Sequence, residues 1–180
     1  RLDRKKMKKN LKEINNLDLQ TRELKNSSFK VLKKLEEGSL ESGHYYVQTL
    51  DYLREIALCL KYFGEPVFEH IDNNHPPLQK EQVKDLYLMN EAIASLFDDI
   101  LTTFRKQNLK EINKIVSQQK NIIDLIAKSR KKEISMIKDE TVSSRNAMMY
   151  LSLLSESRNL VIYSINLVKS HHDFVAGEEM

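Results

Sequence analysis

The chain has one cysteine, no tryptophan, four glycines and three prolines in 180 residues. A single thiol, Cys59, excludes an intrachain disulfide and any zinc site built on cysteines, and it fits a reducing compartment. So little glycine and proline leaves few places for hairpin turns, which argues against a sheet-rich fold. No apolar run approaches the ~18 residues of a membrane-spanning helix, and the start carries no signal-peptide pattern, so the chain itself reads as soluble. There is no glycine-rich phosphate loop, no nucleophile elbow, and no serine or cysteine at motif spacing from a histidine. That excludes the common catalytic constellations, and the chain is expected not to be an enzyme. Charge of one sign is lacking too: 29 bases face 26 acids, a net charge of +3. With no aromatic residues interleaving the bases to stack on, nucleic acid is not an expected partner.

What the sequence does have is helical periodicity. Tyr46, Leu50, Leu53, Ala57, Leu60, Gly64, Val67 and Ile71 alternate at four- and three-residue steps, one seam down a helix. Tyr45, Ile56 and Phe63 widen that seam, so this central helix should have neighbours on two sides. Ser42 is the expected N-cap, and Gly64 with Pro66 should kink or end the helix. Asp72 to Pro77 reads as a turn. Before it, residues 2–37 read as a helix carrying Leu11, Ile14, Leu17, Leu24, Val31 and Leu35, closed by Gly38 and Ser39. After it, helices are expected over about 81–107, 109–138 and 143–174, with a disordered end over 177–180. The fold class is therefore all-α, an antiparallel helical bundle.

A shift of 101 residues carries the central helix onto the last one: Leu50 onto Leu151, Leu53 onto Leu154, Val67 onto Val168. From His44/Arg145 to Asp72/Asp173 seven of the 29 pairs are identical, against roughly two expected from average usage. Shared leucines follow from amphipathicity, but Glu55/Glu156, Tyr62/Tyr163, His70/His171 and Asp72/Asp173 do not. The same shift carries Leu11 onto Ile112, Ile14 onto Ile115 and Ser28 onto Ser129. A duplication follows, with units at 1–78 and 79–180. The second unit has three helices and the first has two, so a further helix is expected upstream of Arg1.

Chemistry concentrates in carboxylates. Asp51 and Glu55, one turn apart, could ligate a divalent or iron-type metal together with Glu91, Asp98 and Glu156, although such a line is more often a solvated face. Glu41 and His44 make one Glu-x-x-His, half of what a di-iron bundle needs. His70, Asp72 and His75, and His171, His172 and Asp173, lie at helix ends, where histidine complements the dipole and aspartate opens a turn. Tyr45, Tyr46, Tyr52, Met148 and Met149 suit a core or the surface of a homodimer. At the amino end Arg1, Arg4, Lys5, Lys6, Lys8, Lys9 and Lys12 are opposed only by Asp3, a cluster that reads either as a solvated helix face or as a segment lying against an anionic membrane surface at about 1 kcal/mol per base.

The segments HYYVQTLDYLREI (44–56) and FEHIDNNH (68–75), with LSESRNLVIYSINLV (154–168), resemble the PhoU-like cytoplasmic region that follows the membrane part of bacterial sodium/phosphate cotransporters. The resemblance covers most of the chain. It implies tandem three-helix repeats, a regulatory role in phosphate uptake, a transporter membrane domain in the same chain as partner, and a place on the cytoplasmic side of the inner membrane. It also implies that Asp51 and Glu55 occupy the position of a family Glu/Asp-x-x-x-Asp metal motif, with Glu for the final Asp. Ser152 and Glu156 keep one carboxylate of the second copy. The alternatives outside that family are a metal-binding bundle and a helical adaptor.

Overall fold

The computed structural model describes residues 4–34, 40–106 and 112–178. They form five helices: α1 (Arg4–Leu32), α2 (Leu40–Asp72), α3 (Lys80–Lys106), α4 (Ile112–Lys138) and α5 (Ser144–Glu178). No strand occurs among them. The expected all-α bundle is what the chain forms. Residues 35–39, where Gly38 and Ser39 should close the first helix, and Leu35 with them, lie outside the described residues.

α2 and α5 are the central pair, in the most extensive helix contact of the bundle. α1 packs on α2, α4 on α5, and α3 on α4 with a lesser contact to α5. The apolar core is continuous through the second half: Met89, Leu96 and Ile100 of α3, Ile115, Ile122 and Ile126 of α4, and Tyr150, Leu154, Val161, Ile165 and Val168 of α5, all nearly inaccessible to water. Each such aliphatic side chain contributes about 1.5–3 kcal/mol on burial. Helices of 27 to 35 residues take most of their stability from such a face rather than from propensity.

The turns follow local chemistry. After α2, Asn74 takes a left-handed φ of 53°, while the His75 amide donates to the His70 carbonyl at 3.1 Å and the Asn74 amide to Ile71 at 3.1 Å. α4 ends the same way, with Glu140 at φ 54° and the Thr141 amide donating to the Met136 carbonyl at 3.0 Å. Both are Schellman closures, which retire orphan carbonyls at the cost of one left-handed residue. Ser143 caps α5, its hydroxyl accepting the Asn146 amide at 3.3 Å. At α3 the Gln82 side chain turns back to accept the Gln79 amide at 2.9 Å, half of a capping box.

Several sequence expectations are corrected. Of the two outcomes expected at Gly64 and Pro66, the ending does not occur: α2 runs through both to Asp72. Proline removes one backbone bond, to Tyr62, and that turn is open to water, Tyr62 being 52 % exposed, so the carbonyl need not go unsolvated. Gly64 lets two helices approach: a Cβ there would stand 3.0 Å from Ile14 Cδ1 and 3.1 Å from Leu11 Cδ2. α2 begins at Leu40, so Ser42 lies inside it and is not the cap. α5 continues to Glu178, into the segment expected to be disordered, because extending an existing helix costs little per residue. Leu24 and Val31, expected on the apolar stripe of the first helix, are 48 % and 41 % exposed, since α2 is the only described helix lying extensively against α1.

Candidate functional site

Where α2 meets α5, the paired glutamates Glu55 and Glu156 approach the same thiol. Cys59 is 4 % exposed. Burial, then the charge of Glu156 and hydrogen bonding to it, then the charge of Glu55, push the thiol up to about 12. Tyr163 is raised as well, by burial first and then by Glu55, Cys59 and Glu156. A thiol so raised stays protonated at neutral pH and is neither a nucleophile nor a soft metal ligand. What the arrangement does chemically is hold two carboxylates and a protonated thiol across the contact between the halves.

On the other side of α2 lies a network that sequence reasoning did not anticipate. Asp18 of α1 is 3 % exposed and ion-paired with Arg54 of α2, with Arg22 at 3.0 Å and Lys61 at 3.5 Å. Arg54 Nη1 also donates to the Asp18 carbonyl at 3.2 Å, and the Thr21 hydroxyl donates to the Leu17 carbonyl at 3.0 Å. Hydrogen bonding to Arg54 holds the Asp18 carboxyl below its ordinary value despite burial, with Lys61 and Arg22 acting in the same sense. The available signal was weak: Arg54 and Lys61, seven apart, are the cations on an otherwise apolar flank of α2.

The remaining expected ligands are dispersed. Asp51 pairs with Lys25 at 2.8 Å, and Glu91 and Asp98 are exposed on α3. Among the described residues no group of three or more histidine, cysteine, aspartate or glutamate side chains is placed to hold a metal, so the five carboxylates do not converge. The Glu41 side chain lies outside the described residues, and His44 is exposed with its ring 5.8 Å from Tyr45. His171 packs edge-on against Phe104 at 4.9 Å, and His172 sits 3.2 Å from Asp173.

Two surfaces remain. Of the basic cluster, Arg1 lies outside the described residues, Arg4 is ion-paired with Asp72, and Lys9 stands 3.9 Å from Glu13, while Lys8 and Lys12 are exposed. Between α2 and α3 an apolar groove of about 380 Å³ opens over α5, lined by Leu60, Phe63, Met89, Ile93, Phe97 and Leu160 among others. No described helix is long and apolar enough to cross a membrane.

This architecture has a solved counterpart. The chain is similar in structure to the phosphate transport system regulatory protein PhoU from Streptococcus pneumoniae, with a TM-score of 0.75 over 97 % of this chain and 81 % of that one. The fold is PhoU-like. Identity between the two is 16 %, so the likeness is one of fold. No family model matches the sequence, and no curated protein does either.

Proposed function

We propose that this chain is a non-enzymatic regulatory domain of phosphate transport, built from two copies of one helical unit. It would act by docking on the membrane domain of a sodium-dependent phosphate transporter. The observation that carries this is the PhoU-like fold over nearly the whole chain, and the segments at 44–56, 68–75 and 154–168 lend it the sodium-coupled context. The basic amino end of α1 would lie toward an anionic bilayer, with the domain on the cytoplasmic side.

The mechanism is differential contact. A docked domain shifts its partner only by as much as it binds one conformation better than another, and 1–3 kcal/mol is the usual scale of such coupling. Nothing in this requires chemistry at a residue. The test is sodium-driven phosphate uptake by the transporter with and without this domain. Uptake that depends on the domain in a phosphate-dependent way supports the proposal, and identical uptake at every phosphate level refutes it.

A further inference from the structure

The closure of α2 brings together a group that neither the ion network nor the core uses. His70 is 7 % exposed, and its Nε2 lies 2.9 Å from the Pro76 carbonyl oxygen. Because a carbonyl only accepts, Nε2 carries the proton, which leaves Nδ1 as the free nitrogen of the ring. The His75 ring stands 5.4 Å away, centroid to centroid. Against it lies the guanidinium of Arg145, from the first turn of α5, with Nη1 3.1 Å from Nδ1 and also in contact with Nε2.

Arg145 has no carboxylate partner among the described residues. It faces a histidine instead, and guanidinium stays charged at any accessible pH, so His75 must accept from it as the neutral base. Burial, then Arg145, then His70 lower the pKa of His75 accordingly. These side chains line a pocket of about 270 Å³ with Asn73 and Glu69, room for a small ion with several waters at ~30 Å³ each. The charged and titratable groups facing His75 are thus His70 and Glu69 from α2 and Arg145 from α5. Asp72, the other acid at this end of α2, is already paired with Arg4.

We infer that this pocket binds a small tetrahedral oxyanion of the phosphate class, held by the Arg145 guanidinium and by His75, which takes up a proton as the anion enters. An anion in the pocket beside them, drawing Arg145 off the ring, offsets the repulsion that keeps His75 neutral and turns both into donors of charge-assisted hydrogen bonds, the strong class. Asn73 supplies a neutral donor at the rim. Glu69 opposes binding, so its removal tightens the site. The inference stands apart from the docking proposal: it is a property of the isolated chain, read without any transporter.

The experiment is calorimetric titration of the chain with inorganic phosphate and, separately, with sulfate, alongside NMR of the histidine rings. Sulfate keeps its charge from pH 6 to pH 8, so any change in its affinity reports the protein. Expected are saturable binding of both ions, ring shifts at His70 and His75, and sulfate binding about tenfold tighter at pH 6 than at pH 8 from the coupled proton. Arg145→Ala, at an exposed position, should weaken both ions at least about tenfold, the scale of one hydrogen bond to a charged group. His75→Gln should flatten the pH dependence. Circular dichroism verifies that each variant is folded, and Glu69→Gln, which should tighten binding, serves as a gain-of-affinity control independent of any loss of structure. Absence of saturation, unchanged affinity in Arg145→Ala, or sulfate affinity that is flat with pH in the native chain overturns the inference.

Discussion

The α1–α2 half and the α3–α5 half of the bundle differ in the chemistry that joins their helices. In the second half the seam is apolar: Ile122, Ile126, Leu154 and Val161 are all at most 2 % exposed. In the first half the corresponding seam centres on a buried carboxylate, Asp18, ringed by Arg54, Lys61 and Arg22. The 101-residue shift makes the exchange explicit, for it sets Thr21 against Ile122, Arg22 against Ile123 and Arg54 against Ser155. A dispersive contact tolerates rearrangement, whereas a buried ionic one fixes register and is strongly destabilised when one partner is removed. The second half has its own buried carboxylate, Glu133, 1 % exposed and accepting from Gln82 at 2.9 Å. Its pKa moves the other way, raised because burial outweighs the help of a neutral amide, while Asp18 has cations within reach.

The largest expected effect breaks the apolar side. Leu154→Ala should cost about 2–5 kcal/mol in a denaturant titration. Leu53→Ala, its partner by the shift but only half-buried, should cost distinctly less. Equal losses would mean that the two seams are packed alike.

Next comes the ionic side. Asp18→Ala should cost about 3 kcal/mol, toward the low end of breaking a buried pair because Arg22 and Lys61 keep partial access to water. The folded-state pKa of Asp18 lies below the ordinary 3.8. Its contribution is therefore fully present above the ordinary carboxylate range and is lost as pH falls through the folded value. Hydrogen exchange in acid should accordingly loosen α1 before α4, and the reverse order would remove the ionic account of the first half.

Smaller effects sharpen the contrast. Glu133 has its folded pKa above the ordinary 4.5, so its share of stability is present in acid and is lost as pH rises through the raised value. Glu133→Gln keeps an acceptor for Gln82 and removes the buried charge, and it should stabilise the fold at pH 7 by about 1 kcal/mol. The melting temperature read at pH 5 and pH 8 tests this, since the gain should appear at the higher pH. Glu140→Gly, at a left-handed φ of 54°, should add roughly 0.5–1 kcal/mol by removing the Cβ penalty.

Much of this bundle was legible in residue order. Five helices, their approximate ends, and the seam through Leu50, Leu53 and Leu60 follow from spacing, because periodicity is a local property. What escaped was set by contacts between distant residues. Asp18 and Arg54 are 36 positions apart, Gln82 and Glu133 are 51 apart; Asp18, Gln82 and Glu133 do not stand out in their polar windows, and Arg54, a cation among apolar residues, does not name its partner. Pro66 misled for a related reason: whether a lost backbone bond stops a helix depends on whether the stranded carbonyl meets water, which local sequence does not state. The metal-site expectation rested on Asp51, Glu55, Glu91, Asp98 and Glu156 sharing helix faces. The fold brings Glu55 and Glu156 toward Cys59, leaves Asp51 with Lys25, and keeps Glu91 and Asp98 in solvent.

The proposal that this domain regulates by differential docking is tested most directly by its affinity for the transporter membrane domain in proteoliposomes, measured with phosphate saturating and with phosphate absent. The account predicts affinities that differ by roughly 5- to 150-fold between the two states. Equal affinity in both, or no binding in either, contradicts it.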